Sequence, residues 1–308
     1  MSLAIDHRPE SFKEVVGNES TIRSLQSLFE RPRNKFPHAI MLNGPTGCGK
    51  TTLGRIIANE LGAMPSDFKE IDSADFRGVD TIREIRQQVR LRPQDPKSKC
   101  RVWLLDECHQ LTKDAQEALL KGLEDAPGHV YFILGTTDPQ KLKSTLRGRC
   151  TTFTVAPLTE GETITLLKRV CQAEKARVPR NIRELIAEQS QGHPRNALKM
   201  LEKVIGLDKD EMEAVVEEEA ARASAAIDLC RALIGRQKWN KIAAILAGLQ
   251  NEEPESVRRM VLGYCNSILL KGDNAQAFVV MECFEEPLYN IGKPGLTLAS
   301  YRACFGEG

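Results

Sequence analysis

The sequence predicts a parallel α/β domain followed by two helical regions. A glycine-rich loop lies between an apolar run and a helical pattern at residues 39–52. Up to about residue 156, strand-like and helix-like runs alternate, which is typical of a parallel sheet covered by helices. The strand signals stop after Pro157. The expected strands are residues 39–43, 68–72, 102–106, 130–136 and 152–155.

Composition and charge narrow the class of protein. The 308 residues are 41% hydrophobic and 28% charged, and 43 Lys and Arg balance 42 Asp and Glu. Any contact with nucleic acid therefore needs a local basic patch. No apolar run is long enough to span a membrane and the first residues lack a signal-peptide core, so we expect a cytosolic protein without membrane contact. The nine cysteines form no C-x-x-C pair, so neither a zinc module nor a disulfide framework is expected.

The loop "GPTGCGKT" matches the pattern G-x-x-x-x-G-K-[ST], the Walker A phosphate-binding loop. Glycine lets the backbone N–H groups wrap around a polyphosphate, and the following helix directs its positive N-terminus at the anion. Lys50 can reach the β and γ phosphates, and the Thr51 hydroxyl can hold Mg²⁺. The alternative is an ordinary glycine turn between a strand and a helix. The residues expected to bind nucleotide here are Gly44, Pro45, Thr46, Gly47, Cys48, Gly49, Lys50, Thr51 and Thr52.

A second acidic motif, "VWLLDECHQL", follows about sixty residues later. Its apolar run predicts a buried strand whose carboxyl end opens beside the glycine-rich loop. Asp106 can hold the Mg²⁺ water shell, and Glu107 can polarise the water that attacks the γ phosphate. Two acids at a strand end are common by themselves, and it is the Walker A loop upstream that favours hydrolysis. His109 has no second metal ligand nearby in the sequence, so we expect no metal there.

Two further fragments carry polar side chains that suit phosphate chemistry. A third apolar strand ends in Thr136 and Thr137, where a hydroxyl can sit between phosphate and catalytic water. The alternative is a plain strand end before the turn at Pro139. Arg149 in "LRGRC" has the planar fork that suits a phosphoryl group developing charge. A surface arginine is the alternative.

The sequence predicts helices throughout the second half of the chain. Thr159 with Glu162 forms a capping-box pattern, and an acidic run between residues 208 and 219 suggests a solvated helix face or connector. We place a boundary near residue 208, which divides the chain into residues 1–156, 157–207 and 208–308. The last part is expected to hold four or five helices, at 223–234, 238–249, 254–270 and 274–284 with a short one near the end.

A basic stripe is the candidate nucleic-acid contact. Between residues 77 and 101 there are eight Lys or Arg and three Asp or Glu. Arg83, Arg86 and Arg90 share one face of the expected helix, a pattern that can track phosphates without reading sequence. The alternative is a solvated helix face. The residues expected to contact DNA are Arg77, Thr81, Arg83, Arg86, Arg90, Thr112 and Lys113, with the threonines and Lys113 near helix N-termini.

In this order, "RPESFKEVVGNE", "GPTGCGKTT", "LLDECHQLTKDAQEALLKGLEDAP", "GTTDPQKLKSTLRGRC" and "GHPRNAL" resemble the ATPase subunit of DNA clamp loaders. That family includes the bacterial DNA polymerase III gamma/tau subunit, its phage equivalents and the replication factor C small subunits. The similarity covers residues 8 to about 200. It implies an α/β P-loop AAA+ domain with a parallel sheet, a small helical lid and an all-α collar that oligomerises.

The resemblance also implies roles for individual residues. Thr137 matches sensor 1, with Thr136 possible, and Arg195 matches the sensor 2 arginine that reaches from the lid to the γ phosphate. Arg149 matches the arginine that acts in trans on the ATP of the neighbouring subunit. The stretch that borders the adenine contains Arg8, Pro9, Val16 and Gly17.

As implied by the family, the cofactors are ATP and Mg²⁺. The implied partners are the other loader subunits in a pentamer-like assembly through the collar, a sliding clamp and primer-template DNA. Gly148 stands where the family usually has serine. The cysteines of the bacterial zinc module are absent, so no zinc is expected, and no tau-type tail follows. A phage or minimal clamp loader therefore fits better than a full bacterial subunit. The rivals are another AAA+ machine (a helicase loader or branch-migration motor), a non-catalytic scaffold subunit and a P-loop kinase.

Overall fold

The computed structural model describes residues 2–32, 35–73, 75, 78–250, 252–270, 272–288 and 291–305, and of residues 220–224 it describes the backbone alone. The chain divides into two compact units, Met1–Met212 and Glu213–Gly308.

Within the described residues, the first unit contains one parallel sheet of five strands in the order β2-β3-β4-β1-β5. The strands are β1 (Ala39–Asn43), β2 (Phe68–Asp72), β3 (Arg101–Asp106), β4 (Val130–Thr136) and β5 (Thr151–Thr154). Three of the five predicted ranges are confirmed to the residue; β3 begins one residue earlier than predicted, and β5 begins and ends one residue earlier. The predicted parallel α/β fold is therefore confirmed.

The central strands are almost entirely buried because helices cover both faces of the sheet. Successive side chains point to opposite faces, so Ile40 and Leu42 join one apolar cluster while Met41 joins the other. The same alternation sends Leu104 to the first cluster and Leu105 to the second. A strand with two covered faces needs apolar residues at every position, which explains the continuous apolar runs in the sequence.

Nine helices of the first unit lie in its described part. They are α1 (Leu3–Asp6), α2 (Glu19–Phe29), α3 (Lys50–Glu60), α4 (Val79–Val89), α5 (Lys113–Glu124), α6 (Ser144–Gly148), α7 (Glu160–Ala173), α8 (Arg180–Gln189) and α9 (Pro194–Val204). Thr159 caps α7, and Glu162 completes the predicted capping box. The N-terminal segment contacts α7, since the Arg169 guanidinium donates to the Glu14 carbonyl at 2.6 Å. His7 Nε2 and Glu174 Oε1 lie 2.5 Å apart.

The second unit is helical, with α10 (Lys209–Ile234) beginning just before the boundary. The other helices are α11 (Trp239–Gly248), α12 (Pro254–Leu269), α13 (Ala275–Cys283) and α14 (Gly292–Phe305). The acidic run and the helix predicted at 223–234 are one continuous helix, because no glycine or proline interrupts them. The final helix was predicted to be short, and this is wrong: it spans 14 residues. Pro294 lies in the first turn of this helix, where a missing N–H costs no hydrogen bond.

A buried ion pair organises the second unit. The Arg258 guanidinium donates twice to the Glu255 carboxylate, at 2.9 and 2.7 Å, and also to the Phe284 carbonyl at 2.8 Å. The backbone N–H of Leu288 donates to the same carboxylate at 2.9 Å. These bonds join α12 to the segment after α13. The hydrogen bonds from Arg258 lower the pKa of Glu255 to about 2.

Candidate active site

The glycine-rich loop joins the end of β1 to the start of α3, and it packs closely against the end of β5. A Cβ atom at Gly44 would lie 2.1 Å from the Val155 carbonyl oxygen, so only glycine fits there. Gly47 and Gly49 have φ values of +80° and +101°, which L side chains rarely adopt. The loop therefore needs glycine at these positions to bring α3 and its N-terminus to the cavity.

Lys50 is held over this loop. It is 4% exposed, and its ammonium group donates to the carbonyls of Gly44 and Pro45 at 2.9 and 3.0 Å. Its Nζ lies 4.0 Å from Glu107 Oε1. The positive charge therefore lies between the phosphate-binding loop and the acidic end of β3.

Thr51 and Asp106 meet where an Mg²⁺ ion would be held. The Thr51 hydroxyl donates to Asp106 Oδ2, and Asp106 Oδ1 accepts from the Glu107 N–H at 3.0 Å. Hydroxyl and carboxylate oxygens suit this hard cation. Gly135 on β4 makes room for the carboxylate, since a Cβ there would lie 2.6 Å from Asp106 Oδ1. The sequence patterns had not marked Gly135, because the need for it depends on the neighbouring strand.

Glu107 follows β3 in a left-handed conformation, with φ of 47°. Its Oε2 atom accepts a hydrogen bond from the Thr137 hydroxyl at 3.3 Å, and His109 Nδ1 lies 3.3 Å from the same oxygen. Thr136 is fully buried, and its hydroxyl accepts from the Asp138 N–H at 3.1 Å. Of the two candidate sensor threonines, Thr137 is thus the one that contacts Glu107. The sequence analysis had considered His109 only as a metal ligand and had not placed it beside Glu107.

Lys50, Thr51, Asp106 and Glu107 open on a cavity of about 710 Å³. It is lined by the N-terminal segment, the loop, the end of β2 and α9. The predicted residues that line it are Arg8, Pro9, Val16, Thr46, Gly47, Cys48, Gly49, Lys50, Thr51, Thr52, Asp106, Glu107 and Arg195. Gly17 instead packs on Leu158, which lines the cavity. The lining also includes Glu70, Asp72 and Lys199, which the sequence patterns had not marked.

Arginines give one side of the cavity a positive character. Burial, together with the positive charges of Arg55 and Arg195, lowers the pKa of Arg8. Arg55 is paired in a bidentate manner with Glu70, at 2.7 and 3.0 Å. Arg195, in the first turn of α9, lies over the glycine-rich loop: its Cβ is 3.6 Å from the position of a Cβ at Gly47. This charge distribution suits an anionic ligand such as a triphosphate.

Comparison with known proteins agrees with this geometry. The model of the ATPase family associated with various cellular activities (AAA) matches residues 40–158. The chain contains an AAA+ ATPase domain.

Its curated relatives are subunits of DNA polymerase III. The AAA+ ATPase is 35% identical over 224 residues to the tau subunit of Bacillus subtilis. The aligned region covers 66% of this chain and 39% of tau. It is 34% identical over 229 residues to the gamma subunit of Buchnera aphidicola subsp. Schizaphis graminum. The aligned region covers 68% of this chain and 62% of gamma. The predicted resemblance to gamma/tau is confirmed. The chain spans about two fifths to three fifths of the length of these relatives.

Among solved structures, the AAA+ ATPase is similar to the Holliday junction branch migration motor RuvB of Thermotoga maritima. The TM-score is 0.59 at 23% identity, covering 78% of this chain and 85% of RuvB. A single-residue variant of the same protein gives 0.55 at 27% identity, covering 68% of this chain and 67% of that chain. These similarities support the AAA+ fold.

The structure does not bring Arg149 to the cavity of its own chain. Arg149 follows α6, its side chain is 60% exposed, and its Nη2 lies 2.8 Å from Glu124 Oε1. It is not among the described residues that line the cavity. Arg149 is thus an exposed, ion-paired arginine outside the lining of its own cavity.

The basic stripe of the AAA+ ATPase lies on α4, with Arg90 at its C-terminal end. Arg83, Arg86 and Arg90 border one shallow concave surface, as the spacing predicted. Arg83 pairs with Asp80 at 2.9 Å, while the stem of Arg86 passes over Gly122. Thr81 lies in the first turn of α4, Thr112 caps α5 and Lys113 is the first residue of α5. Arg77 lies outside the described residues.

The described residues contain neither a metal-binding cluster nor a helix suited to span a membrane. No group of three or more His, Cys, Asp or Glu side chains among them is arranged to hold a metal ion. None of their helices has the length and apolar character needed to cross a membrane.

Proposed function

We propose that this AAA+ ATPase is an ATPase subunit of a DNA clamp loader, in the cytoplasm of a bacterial cell or a phage-infected host. It would open a sliding clamp and load it on primer-template DNA, with ATP hydrolysis at subunit interfaces. The position of Arg149 outside the lining of its own cavity carries this proposal. In an assembly, the copy of Arg149 from a neighbouring subunit would complete each ATP site. The sequence relationship to DNA polymerase III gamma and tau supports a role in replication.

The proposed chemistry follows from the arrangement of the cavity. Bound Mg²⁺, held by Thr51 and Asp106, would neutralise charge on the β and γ phosphates. Lys50 and Arg195 would bind the γ phosphate, Glu107 would polarise the attacking water and Thr137 would sense the phosphate. The neighbouring subunit's copy of Arg149 would stabilise the charge that develops on the transferred group. Hydrolysis then removes the γ phosphate contacts that favour the clamp-gripping state.

Complementation between variants tests the arginine in trans. Lys50→Ala removes phosphate binding but keeps Arg149, while Arg149→Ala keeps the cavity. Each variant alone should show little DNA-stimulated ATP hydrolysis, and an equal mixture should recover a substantial part of it. Arg147→Ala, in the helix α6 that immediately precedes Arg149, is the matched control and should remain active. A mixture as inactive as its components would reject action in trans.

Exposed apolar side chains of the second unit support assembly through a collar. In the described part of that unit, the large apolar residues that face solvent are Met260, Leu270, Phe278, Ile291, Leu298, Tyr301 and Phe305. Such residues on a helical unit are typical of an interface with other subunits. Phe278→Glu with Phe305→Glu should weaken assembly with the other loader subunits about tenfold, measured by mass photometry. Lys293→Glu changes charge without removing an apolar group and should not.

The basic stripe is the proposed DNA contact. Arg86→Ala with Arg90→Ala should weaken binding of primer-template DNA and lower the slope of log K against log salt by about 2, since each phosphate contact contributes about one unit. Arg177→Ala with Arg180→Ala removes two exposed arginines from elsewhere in the first unit and is the matched control. An unchanged slope for the Arg86 and Arg90 variant would reject this surface.

A branch-migration motor or helicase loader is the alternative, which the fold shared with RuvB favours. The two functions differ in substrate. A clamp loader binds the cognate clamp in an ATP-dependent manner, and its hydrolysis is stimulated by primer-template DNA. Capture of the clamp in a pull-down with ATP supports clamp loading, whereas stimulation by a four-way junction without clamp binding supports the motor.

A further inference from the structure

His109 occupies a position that the proposed hydrolytic chemistry leaves unexplained. It lies in the short turn after β3, and its side chain is only 7% exposed. Its Nδ1 atom lies 3.3 Å from Glu107 Oε2 and 3.4 Å from the Thr136 hydroxyl. A buried imidazole beside a catalytic carboxylate affects that carboxylate in a way that depends on which ring nitrogen carries hydrogen.

The contacts of the ring favour hydrogen on Nδ1. The Gln110 side-chain amide lies 3.1 Å from His109 Nε2, and an N–H of that amide pairs with an accepting Nε2. Burial lowers the pKa of His109, which favours the neutral ring. A neutral ring with an accepting Nε2 carries its hydrogen on Nδ1. Nδ1 has two acceptors within reach, Glu107 Oε2 at 3.3 Å and the Thr136 hydroxyl oxygen at 3.4 Å, and of these the carboxylate oxygen can only accept.

Thr137 cannot donate a hydrogen bond to Glu107 throughout the reaction. Its hydroxyl has one hydrogen, which it donates to Glu107 Oε2 in this structure. When the same hydroxyl senses a γ phosphate, that hydrogen goes to a phosphate oxygen, which can only accept. Glu107 would then lose this donor at the moment when its position matters.

We propose that His109 is the positioning residue for Glu107. Its Nδ1–H holds Oε2 while Thr137 turns to the phosphate, and this keeps Oε1, on the Lys50 side, directed at the attacking water. The inference rests on the proposed role of Glu107 as the residue that polarises water and is independent of clamp loading. It assigns His109 to the positioning of a carboxylate and not to metal binding.

The test measures ATP hydrolysis by the full chain with primer-template DNA. His109→Ala should lower kcat about tenfold or more because Glu107 is no longer held, while the KM for ATP stays within about twofold. His109→Asn places an amide N–H near the position of Nδ1 and should recover most of the lost kcat. His129→Asn changes a histidine away from the cavity and should not alter turnover. Normal kcat in His109→Ala, or an Asn variant as slow as the Ala variant, would overturn the proposal.

Two further measurements separate the possible failures. If Glu107→Gln turns over normally, the role of Glu107 is wrong and the positioning role falls with it. If Glu107→Gln is inactive and His109→Ala is normal, only the role of His109 is wrong. Nitrogen-15 NMR of the histidine rings, assigned with His109→Asn, reports the tautomer without any turnover. Hydrogen on Nδ1 supports the proposal, and hydrogen on Nε2 overturns it.

Discussion

Replacing Glu255 by Gln should destabilise the second unit strongly at neutral pH. The carboxylate is 4% exposed, and hydrogen bonds from Arg258 lower its pKa from 4.5 to about 2. At 1.36 kcal/mol for each pKa unit, that shift corresponds to about 3 kcal/mol of stability. The general cost of removing one partner of a buried ion pair, here the one that balances the Arg258 guanidinium, is about 3 to 5 kcal/mol and gives an estimate of similar size for the same interaction. We therefore expect the free energy of unfolding to fall by about 3 kcal/mol at pH 7.

The pH dependence gives a second, independent check. Because folding lowers the pKa of Glu255, its stabilisation is fully present above about pH 4.5 and is lost as the pH falls towards 2. The difference in stability between wild type and Glu255→Gln should therefore be constant from pH 7 to 5. It should shrink between pH 4.5 and 2, where the wild-type carboxyl also becomes neutral.

Urea denaturation followed by tryptophan fluorescence measures this difference. The two tryptophans lie in different units, and Trp239 packs edge-on against Tyr301 at 5.0 Å between ring centroids. A Trp103→Phe background therefore makes the signal specific to the second unit. Glu282→Gln, at an exposed position, is the control and should change stability by less than about 0.5 kcal/mol. A loss below about 1 kcal/mol in Glu255→Gln at pH 7, or a difference that persists unchanged to pH 3, would refute the reasoning.

Three other substitutions test the first unit. Gly44→Ala should raise the Kd for ATP about tenfold or more in a calorimetric titration, because its Cβ would collide with the Val155 carbonyl and displace the loop; unchanged affinity would contradict this. Asp67→Ala should lower stability in urea by about 3 kcal/mol, since it leaves the buried Arg101 charge unpaired; a loss under about 1 kcal/mol would show that the site relaxes. Gly148→Ser should leave stability within about 0.5 kcal/mol of wild type, because no atom lies within 4 Å of the added Cβ, and a larger loss would contradict that open space.

The sequence by itself determined the strands, the phosphate-binding loop and the acidic pair Asp106 and Glu107. Each of these features is encoded by a few consecutive residues. A strand covered on both faces must be apolar at every position, and a polyphosphate loop needs glycine at set spacings. The capping box at Thr159 was predictable for the same reason, since its two partners are three residues apart. Local patterns misplaced only helices whose limits depend on packing, such as α10 and α14.

Only the tertiary structure decided which side chains meet at the end of the sheet. Glu107 follows β3 and Thr137 follows β4, thirty residues later in the chain, and they touch because these two strands are neighbours in the sheet. The same adjacency requires glycine at Gly135 and brings His109 to Thr136. No local periodicity encodes strand order, because that order is set by the helices that connect the strands and by the cores on both faces of the sheet. The position of Arg149 outside the lining of its own cavity is equally a property of the folded chain.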